Sequence, residues 1–313
     1  AIGDSALLVL NAGAYGYNIA VGHEAGTAMT TGVQNTLMGG LAGDALTTGN
    51  YNIAIGHTAL STEDTGNKSV AIGHQALLNQ NYDGDAFNTA VGHNVGAAIT
   101  SGAENTLMGG LAGDALTTGQ RNTAIGTYAL GADTTGQYSV AIGRGALVSQ
   151  NFTGGEASYN VAVGYDAGND ITTGTMNTLV GALTGDALTT GSRNTAMGIG
   201  ALGTEDTGSR NTAFGYGSLG TLNYDGNGYN TAVGYETGTA MTTGTQNTLI
   251  GGLAGYNLTT GHYNVAIGMQ ALENEDANGR NVAIGQEALQ TLNAGADGYN
   301  VAVGFQAGHL MTT

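Results

Sequence analysis

A five-residue box recurs along the whole chain: Asn, a β-branched residue, Ala or Leu, an apolar residue, and Gly. It opens at Asn18, Asn35, Asn52, Ser69, Asn88, Asn105, Asn122, Ser139, Asn160, Asn177, Asn194, Asn211, Asn230, Asn247, Asn264, Asn281 and Asn300. Successive boxes are 17 residues apart, and every fourth spacing stretches to 19 or 21. Groups of four therefore span 70, 72, 70 and 70 residues, near 18–87, 88–159, 160–229 and 230–299. A fixed period of this kind constrains the fold more than composition does, because each copy must adopt one local structure and stack on the next.

Three positions of the box identify that structure. The second is always Ile, Val or Thr, the fourth is always apolar, and the fifth is always Gly. A short β-branched run closed by Gly reads as a strand. Helical spacing is absent, and Gly at this density, 57 of 313 residues, would cost a helix about 1 kcal/mol per residue relative to Ala. A second short apolar segment (Ala25 with Met29, Leu41-Ala42 with Leu46, Ala59-Leu60, Ala76-Leu77) and a second Gly follow each box. The expected fold is all-β: a single parallel β-solenoid over 1–313, a flattened two-sheet β-roll with rungs of about 17 residues and a superperiod of about 70. Rungs about 4.8 Å apart predict a rod on the order of 80 Å long. The fifteen asparagines Asn18, Asn35, Asn52, Asn88, Asn105, Asn122, Asn160, Asn177, Asn194, Asn211, Asn230, Asn247, Asn264, Asn281 and Asn300 are expected to form a ladder, each side chain donating to the next rung's carbonyl. Ser69 and Ser139 interrupt it.

The second and fourth box positions face one way and the third faces the other, and both faces are apolar. A roll 17 residues around has one thin interior and can bury only one of them, so the other is expected to be covered by further copies of the chain. A trimer is the simplest closed arrangement.

The boxes Asn-Thr-Ala-Ile-Gly (122–126) and Ser-Val-Ala-Ile-Gly (69–73, 139–143) resemble the head repeats of YadA-type trimeric autotransporter adhesins, and the same box is familiar from bacteriophage tail-fibre shafts. The resemblance covers all seventeen copies. It implies a left-handed parallel β-roll, trimeric, projecting from a bacterial or virion surface to bind host ligands. Two features depart from it: adhesin head repeats are nearer 14 residues, and the neck, stalk and membrane anchor of the adhesins are not in this sequence. The resemblance carries no catalytic residues.

Composition narrows the remaining classes. Six Lys plus Arg against 23 Asp plus Glu argue against nucleic acid and anionic membrane surfaces, which need clustered cations. Without Cys, disulfides and thiolate metal sites are excluded. No apolar run approaches the length of a membrane span, and no basic-then-apolar leader precedes the repeats.

The long loop ending each group closes on an aromatic (Tyr17, Phe87, Tyr159, Tyr229, Tyr299), with Tyr82, Phe152 and Tyr224 inside three of the loops. Loops on a rigid scaffold are where binding residues sit, so these eight are the candidate ligand contacts, repeating about every 19 Å. The competing reading is that they plug perturbed corners. Gly-Gly-Leu-Ala-Gly-Asp at 39–44 and 109–114 only partly matches a calcium repeat, and Asp44, Asp114 and Asp186 recur too sparsely for one. The acidic pairs Glu63-Asp64, Glu205-Asp206 and Glu275-Asp276, with Asp133 in the remaining group, suit a cation between chains, acid and base for polysaccharide cleavage, or, as the reading preferred here, a solvated corner that keeps the rod soluble. His57, His74 and His93 occupy matching places on three rungs and should stack, but no metal-ligand spacing accompanies them. Thr31, Thr48 and Thr65 form too short an array for ice binding.

The expectation is a non-enzymatic structural segment without cofactor or metal, an extracellular, cell-surface or virion-surface fibre or adhesin head. Its partner is itself, with a host glycan or protein as possible ligand. The alternative is a self-assembling β-solenoid filament, since neither end carries a capping repeat. A polysaccharide-processing spike ranks third.

Overall fold

The computed structural model describes residues 1–293 and 295–312. Seventeen three-residue strands run from β1 (Ile19–Val21) to β17 (Val301–Val303), one for each box. With the box Asn as place 1 of a rung, each strand is places 2 to 4. The chain forms two compact units, Ala1–Tyr159 and Asn160–Thr313, meeting at the end of the second four-rung group. In the first unit, each strand from β1 to β8 (Val140–Ile142) pairs in parallel with the next in sequence. In the second, β9 (Val161–Val163) to β17 pair in the same way. Register is set residue on residue, for example Thr123↔Val140, Ala124↔Ala141 and Ile125↔Ile142. Each unit is a parallel β-solenoid, as expected from the period.

The expected second strand is absent. Places 6 to 9 form turns on every rung, extending to place 11 on most, yet they still hydrogen-bond rung to rung: Leu60 N–H donates to the Ala76 carbonyl at 3.0 Å and Gly43 N–H to the Ala59 carbonyl at 2.9 Å. The reason is backbone conformation. Places 7, 9 and 17 lie in the left-handed region even where they are not Gly, as at Thr58 (φ 53°), Leu60 (φ 53°) and Lys68 (φ 59°). That conformation costs an L-residue roughly 1–2 kcal/mol, offset by the inter-rung bonds it aligns. The roll therefore has a single sheet and a hydrogen-bonded turn wall.

The third place points inward and is fully covered in nearly every copy, whereas places 2 and 4 are half-buried or exposed. The interior is one side chain thick and fitted by size. Leu37, at place 3 of the second rung, fills space left by Gly26 and Gly43 at place 9: a Cβ at those glycines would sit 2.6 and 2.9 Å from the Leu37 methyls. On the third and fourth rungs the sizes reverse, with Ala54 and Ala71 at place 3 and Leu60 and Leu77 at place 9, all buried. Leu107 fits against Gly96 and Gly113, and Leu249 against Gly238 and Gly255, in the same way. This alternation of large and small is the packing origin of the four-rung superperiod. The box Gly is fixed by contact as well as conformation: at Gly126 (φ +134°) a Cβ would lie 2.4 Å from the Gly143 carbonyl oxygen.

Candidate functional site

Three side-chain columns concentrate the polar chemistry of the chain. The first is the asparagine ladder, and its bonds differ from expectation. Each amide donates to the corner carbonyl of its own rung, not the next: Asn105 Nδ2 to Gly119 O at 2.9 Å, Asn177 Nδ2 to Gly191 O at 2.9 Å, Asn194 Nδ2 to Gly208 O at 2.8 Å. Its Oδ1 accepts the backbone N–H of the following box residue, as Asn105 Oδ1 does from Asn122 at 3.0 Å. One side chain thus closes its own coil and pins the next. Buried amides bonded in this way are structural.

The fourth rung of each group carries a long loop where the corner carbonyl would be, and two solutions appear there. In the first two groups the box begins with Ser, and a buried Gln replaces the missing partner. Gln80 Nε2 donates to Ser69 Oγ at 2.8 Å and to Glu63 Oε2 at 2.9 Å, while its Oε1 accepts from Asn88 Nδ2 at 2.8 Å. Gln150 bonds Ser139 and Asp133 in the same arrangement. In the last two groups the box keeps Asn and the Gln place holds Leu222 or Leu292. Asn211 Nδ2 then reaches only the Ser209 carbonyl at 3.4 Å, and Asn281 Nδ2 is buried without a partner.

The second column corrects the acidic corners. Glu63, Asp133, Glu205 and Glu275 are fully buried, at the place that Met29 and Leu46 occupy on the preceding rungs, so they are interior caps and not solvated charges. Glu63 accepts the Gly66 and Tyr82 N–H groups at 2.7 and 3.2 Å, Glu205 those of Gly208 and Tyr224 at 2.8 and 3.3 Å, and Asp133 those of Gly136 and Phe152 at 3.0 and 3.1 Å. Glu275 caps Asn278 through both backbone and side chain. Burial pushes the Glu63 and Asp133 carboxyls above their ordinary range despite these bonds, and Glu205 up to about 7.

The sign for stability follows. Below the ordinary carboxyl value of 4.5 Glu205 is protonated both folded and unfolded. As pH rises from there through about 7, the unfolded chain ionises first, and the folded chain loses stability. Exposed Glu104 and half-buried Glu287, held low by hydrogen bonds from Arg121 and Gln306, act in the opposite direction. Both lie at the surface, where such pairs are worth little. Denaturant midpoints should therefore rise on going from pH 7.5 to pH 5, Glu205 contributing on the order of 1–2 kcal/mol. Glu205→Gln should flatten that slope, and an unchanged slope would refute the assignment.

The third column is place 17. Of the six Lys and Arg, five stand in it (Lys68, Arg121, Arg193, Arg210, Arg280), and only Arg144 lies elsewhere. The loop-closing aromatics Tyr17, Phe87, Tyr159, Tyr229 and Tyr299 share the column and are exposed. Lys68 sits over the Phe87 ring at 5.1 Å, Arg210 over Tyr229 at 5.3 Å, and Arg280 over both Tyr263 and Tyr299 at 5.2 and 5.5 Å. Arg121 covers Tyr138, which stacks on Tyr159 at 5.3 Å. The Lys68–Phe87, Arg210–Tyr229 and Arg280–Tyr299 contacts staple the rung before a long loop to the rung after it, and the Tyr138–Tyr159 stack does so in the second group. The other three candidates are elsewhere: Phe152 is buried and plugs its corner, while Tyr82 and Tyr224 are half-buried. The eight aromatics expected to form one row fall into two sets, an exposed column of five at place 17 and three within the loops.

His57, His74 and His93 do stack, with ring centroids 5.6 and 5.1 Å apart and planes within 12°. Parallel rings project their nitrogens side by side and do not converge on a point. Among the described residues no group of three or more His, Cys, Asp or Glu side chains is placed to hold a metal ion. Asp44 is engaged by Ser61 Oγ at 2.6 Å. The threonine ladder runs one place earlier than the sequence suggested: Thr30 and Thr47, not Thr31 and Thr48, donate to the next rung's carbonyl at 3.2 and 3.1 Å. No helix among the described residues is long and apolar enough to cross a membrane. No protein-family model and no curated protein matches the chain.

Proposed function

We propose that the chain is a structural, non-enzymatic fibre or adhesin-head segment whose outer strand face packs against further copies of itself, presenting its loops and turn wall to a surface ligand. The observation that carries this is the chemistry of that face. Ile19, Met38 and Ile53 in the first unit and Met197 and Ile250 in the second are exposed apolar side chains, and all stand at places 2 or 4. Within each unit they form an unbroken ribbon of β-branched and apolar groups. Exposed apolar ribbons of this kind mark association surfaces, and the continuous repeat makes the same surface available on every copy. The buried acids are committed to capping backbone N–H groups, which leaves them no place in hydrolysis and weighs against the polysaccharide-processing spike. The YadA-like and tail-fibre resemblance fits this reading and makes three copies the expected number, with an extracellular or virion-surface location.

Sedimentation velocity of the chain at micromolar concentration should give one discrete oligomer, a trimer on this reading. A monomer throughout would overturn it, and indefinite fibres by electron microscopy would favour the filament.

A further inference from the structure

A groove of about 330 Å³ lies on the turn wall of the second unit. It exists because two consecutive rungs carry Gly at place 7, Gly200 and Gly217, with Gly220 continuing the floor. Neither Gly is the only residue its backbone admits. Their φ angles of +64° and +58° match those of Thr58, Gln75, Gln270 and Glu287 at the same place elsewhere. Space does not demand Gly either: a Cβ at Gly200 would meet nothing within 4 Å, and one at Gly217 nothing closer than 3.6 Å. What the two glycines achieve is an opening beside a pair of tyrosines.

Tyr216 lines one wall, and Tyr235 on the next rung stacks on it, the rings near-parallel with centroids 5.5 Å apart. That distance is too long for direct face-to-face contact, so the rings are offset and part of each face stays open. Ile199 extends this apolar wall, and all three side chains are more than half exposed. The opposite side is polar and rich in acceptors. Thr221 and Thr239 have already donated their hydroxyl hydrogens, to the Thr239 and Gly217 carbonyls at 2.6 and 3.0 Å, which leaves their oxygen lone pairs available. Glu236 adds a carboxylate, already receiving the Tyr235 hydroxyl. No Lys, Arg or His lines the groove, so an anionic ligand has no counter-charge there.

From this geometry we infer that the groove is a binding site for a neutral sugar ring. A pyranose has an apolar face for Tyr216 and Ile199 and a rim of hydroxyl donors for the threonines and Glu236. The volume is at the lower end of small-ligand pockets, roughly 300–1,000 Å³, and suits a single ring. A cationic amine also donates hydrogen bonds, but it needs groups converging on one point, and here they are spread along the groove. This inference is independent of the assembly proposed above.

The test is saturation-transfer NMR on the whole chain, with glucose, galactose, mannose, N-acetylglucosamine and choline as probes at millimolar concentration. At least one sugar should receive saturation and shift the Tyr216 ring signals. Gly200→Gln and Gly217→Gln introduce a side chain that place 7 accepts on other rungs, and each should abolish transfer while the chain stays folded, with only the small drop in melting temperature expected of a non-Gly residue in the left-handed region. If either Gln variant fails to fold, Tyr216→Leu and Thr221→Val serve instead, each weakening binding about ten-fold. Transfer to no sugar, transfer surviving in the filled or truncated variants, or binding of choline alone would overturn the assignment.

Discussion

Asn194→Leu should remove much of the stability of the second unit, although leucine has nearly the shape of asparagine and the site is wholly buried. The variant keeps the same branching in a slightly larger side chain but strips two bonds. The Asn211 N–H loses the Oδ1 that accepts it at 2.9 Å, and the Gly208 carbonyl loses the Nδ2 that reaches it at 2.8 Å. Both backbone groups stay in the interior unpaired, at about 1–3 kcal/mol each. A total of roughly 2–6 kcal/mol is a large share of the 5–15 kcal/mol typical of a folded domain. In a stack where each rung leans chiefly on its neighbours, the loss should open the rungs around Asn194 first. Urea midpoints and hydrogen exchange at Thr195 and Thr212 would read it. Asn223→Leu, on an exposed loop residue, should change stability by less than about 0.5 kcal/mol. Asn281→Leu should cost less than Asn194→Leu, because Asn281 Nδ2 has no partner to lose and only its Oδ1 bonds from Asn300 go. Equal costs at 194 and 281 would mean that the ladder amides are not what closes the rungs.

The same bonds show what the sequence could reveal. The period, the strand in each box and the stacked asparagines follow from spacing and β-branching alone, because a 17-residue repeat leaves few ways to align like with like. The turn wall was not legible. Its left-handed residues include Leu60, Lys68, Tyr128 and Arg121, which carry none of the Gly or Asn signal by which such conformations are usually read. They are held there by inter-rung hydrogen bonds that no single rung displays. The buried acids were misread because carboxylates ordinarily face water, yet the corrective signal was present: Glu63 falls seventeen residues after Leu46 and thirty-four after Met29, in the column of inward apolar residues. The coupling at the fourth rung was also in the letters. Ser69 and Ser139 occur with Gln80 and Gln150, whereas Asn211 and Asn281 occur with Leu222 and Leu292. Its meaning required the knowledge that places 1 and 12 face each other across the interior. The sugar groove was missed for a related reason, since two extra glycines among 57 carry no signal until the backbone shows that neither is needed.

Two adjacent substitutions separate the inner face of the sheet from the outer one. Ala124→Asp places a carboxylate in the interior between Leu107 and Ala141, its register partners on the flanking strands, with no cation near it. Burying an unpaired charge costs several kcal/mol even after the group takes up a proton, so the first unit should fail to fold at neutral pH by circular dichroism. Ile125→Asp, one residue on, points the other way, into the outer column of Met108 and Ile142. It should fold with a penalty near 1 kcal/mol from lost β-propensity, yet sediment as a smaller species, because a charge on the apolar ribbon is desolvated only when another copy covers it. Because side chains alternate across a strand, neighbouring residues meet opposite environments, and the contrast between the two variants carries more weight than either alone. If Ile125→Asp unfolds the chain as thoroughly as Ala124→Asp, both faces are interior to a single subunit's fold or folding requires assembly; the oligomer of a milder Ile125→Thr variant decides between these. If Ile125→Asp folds and sediments like the unsubstituted chain, the outer ribbon is not the contact surface, and self-association must be sought on the turn wall.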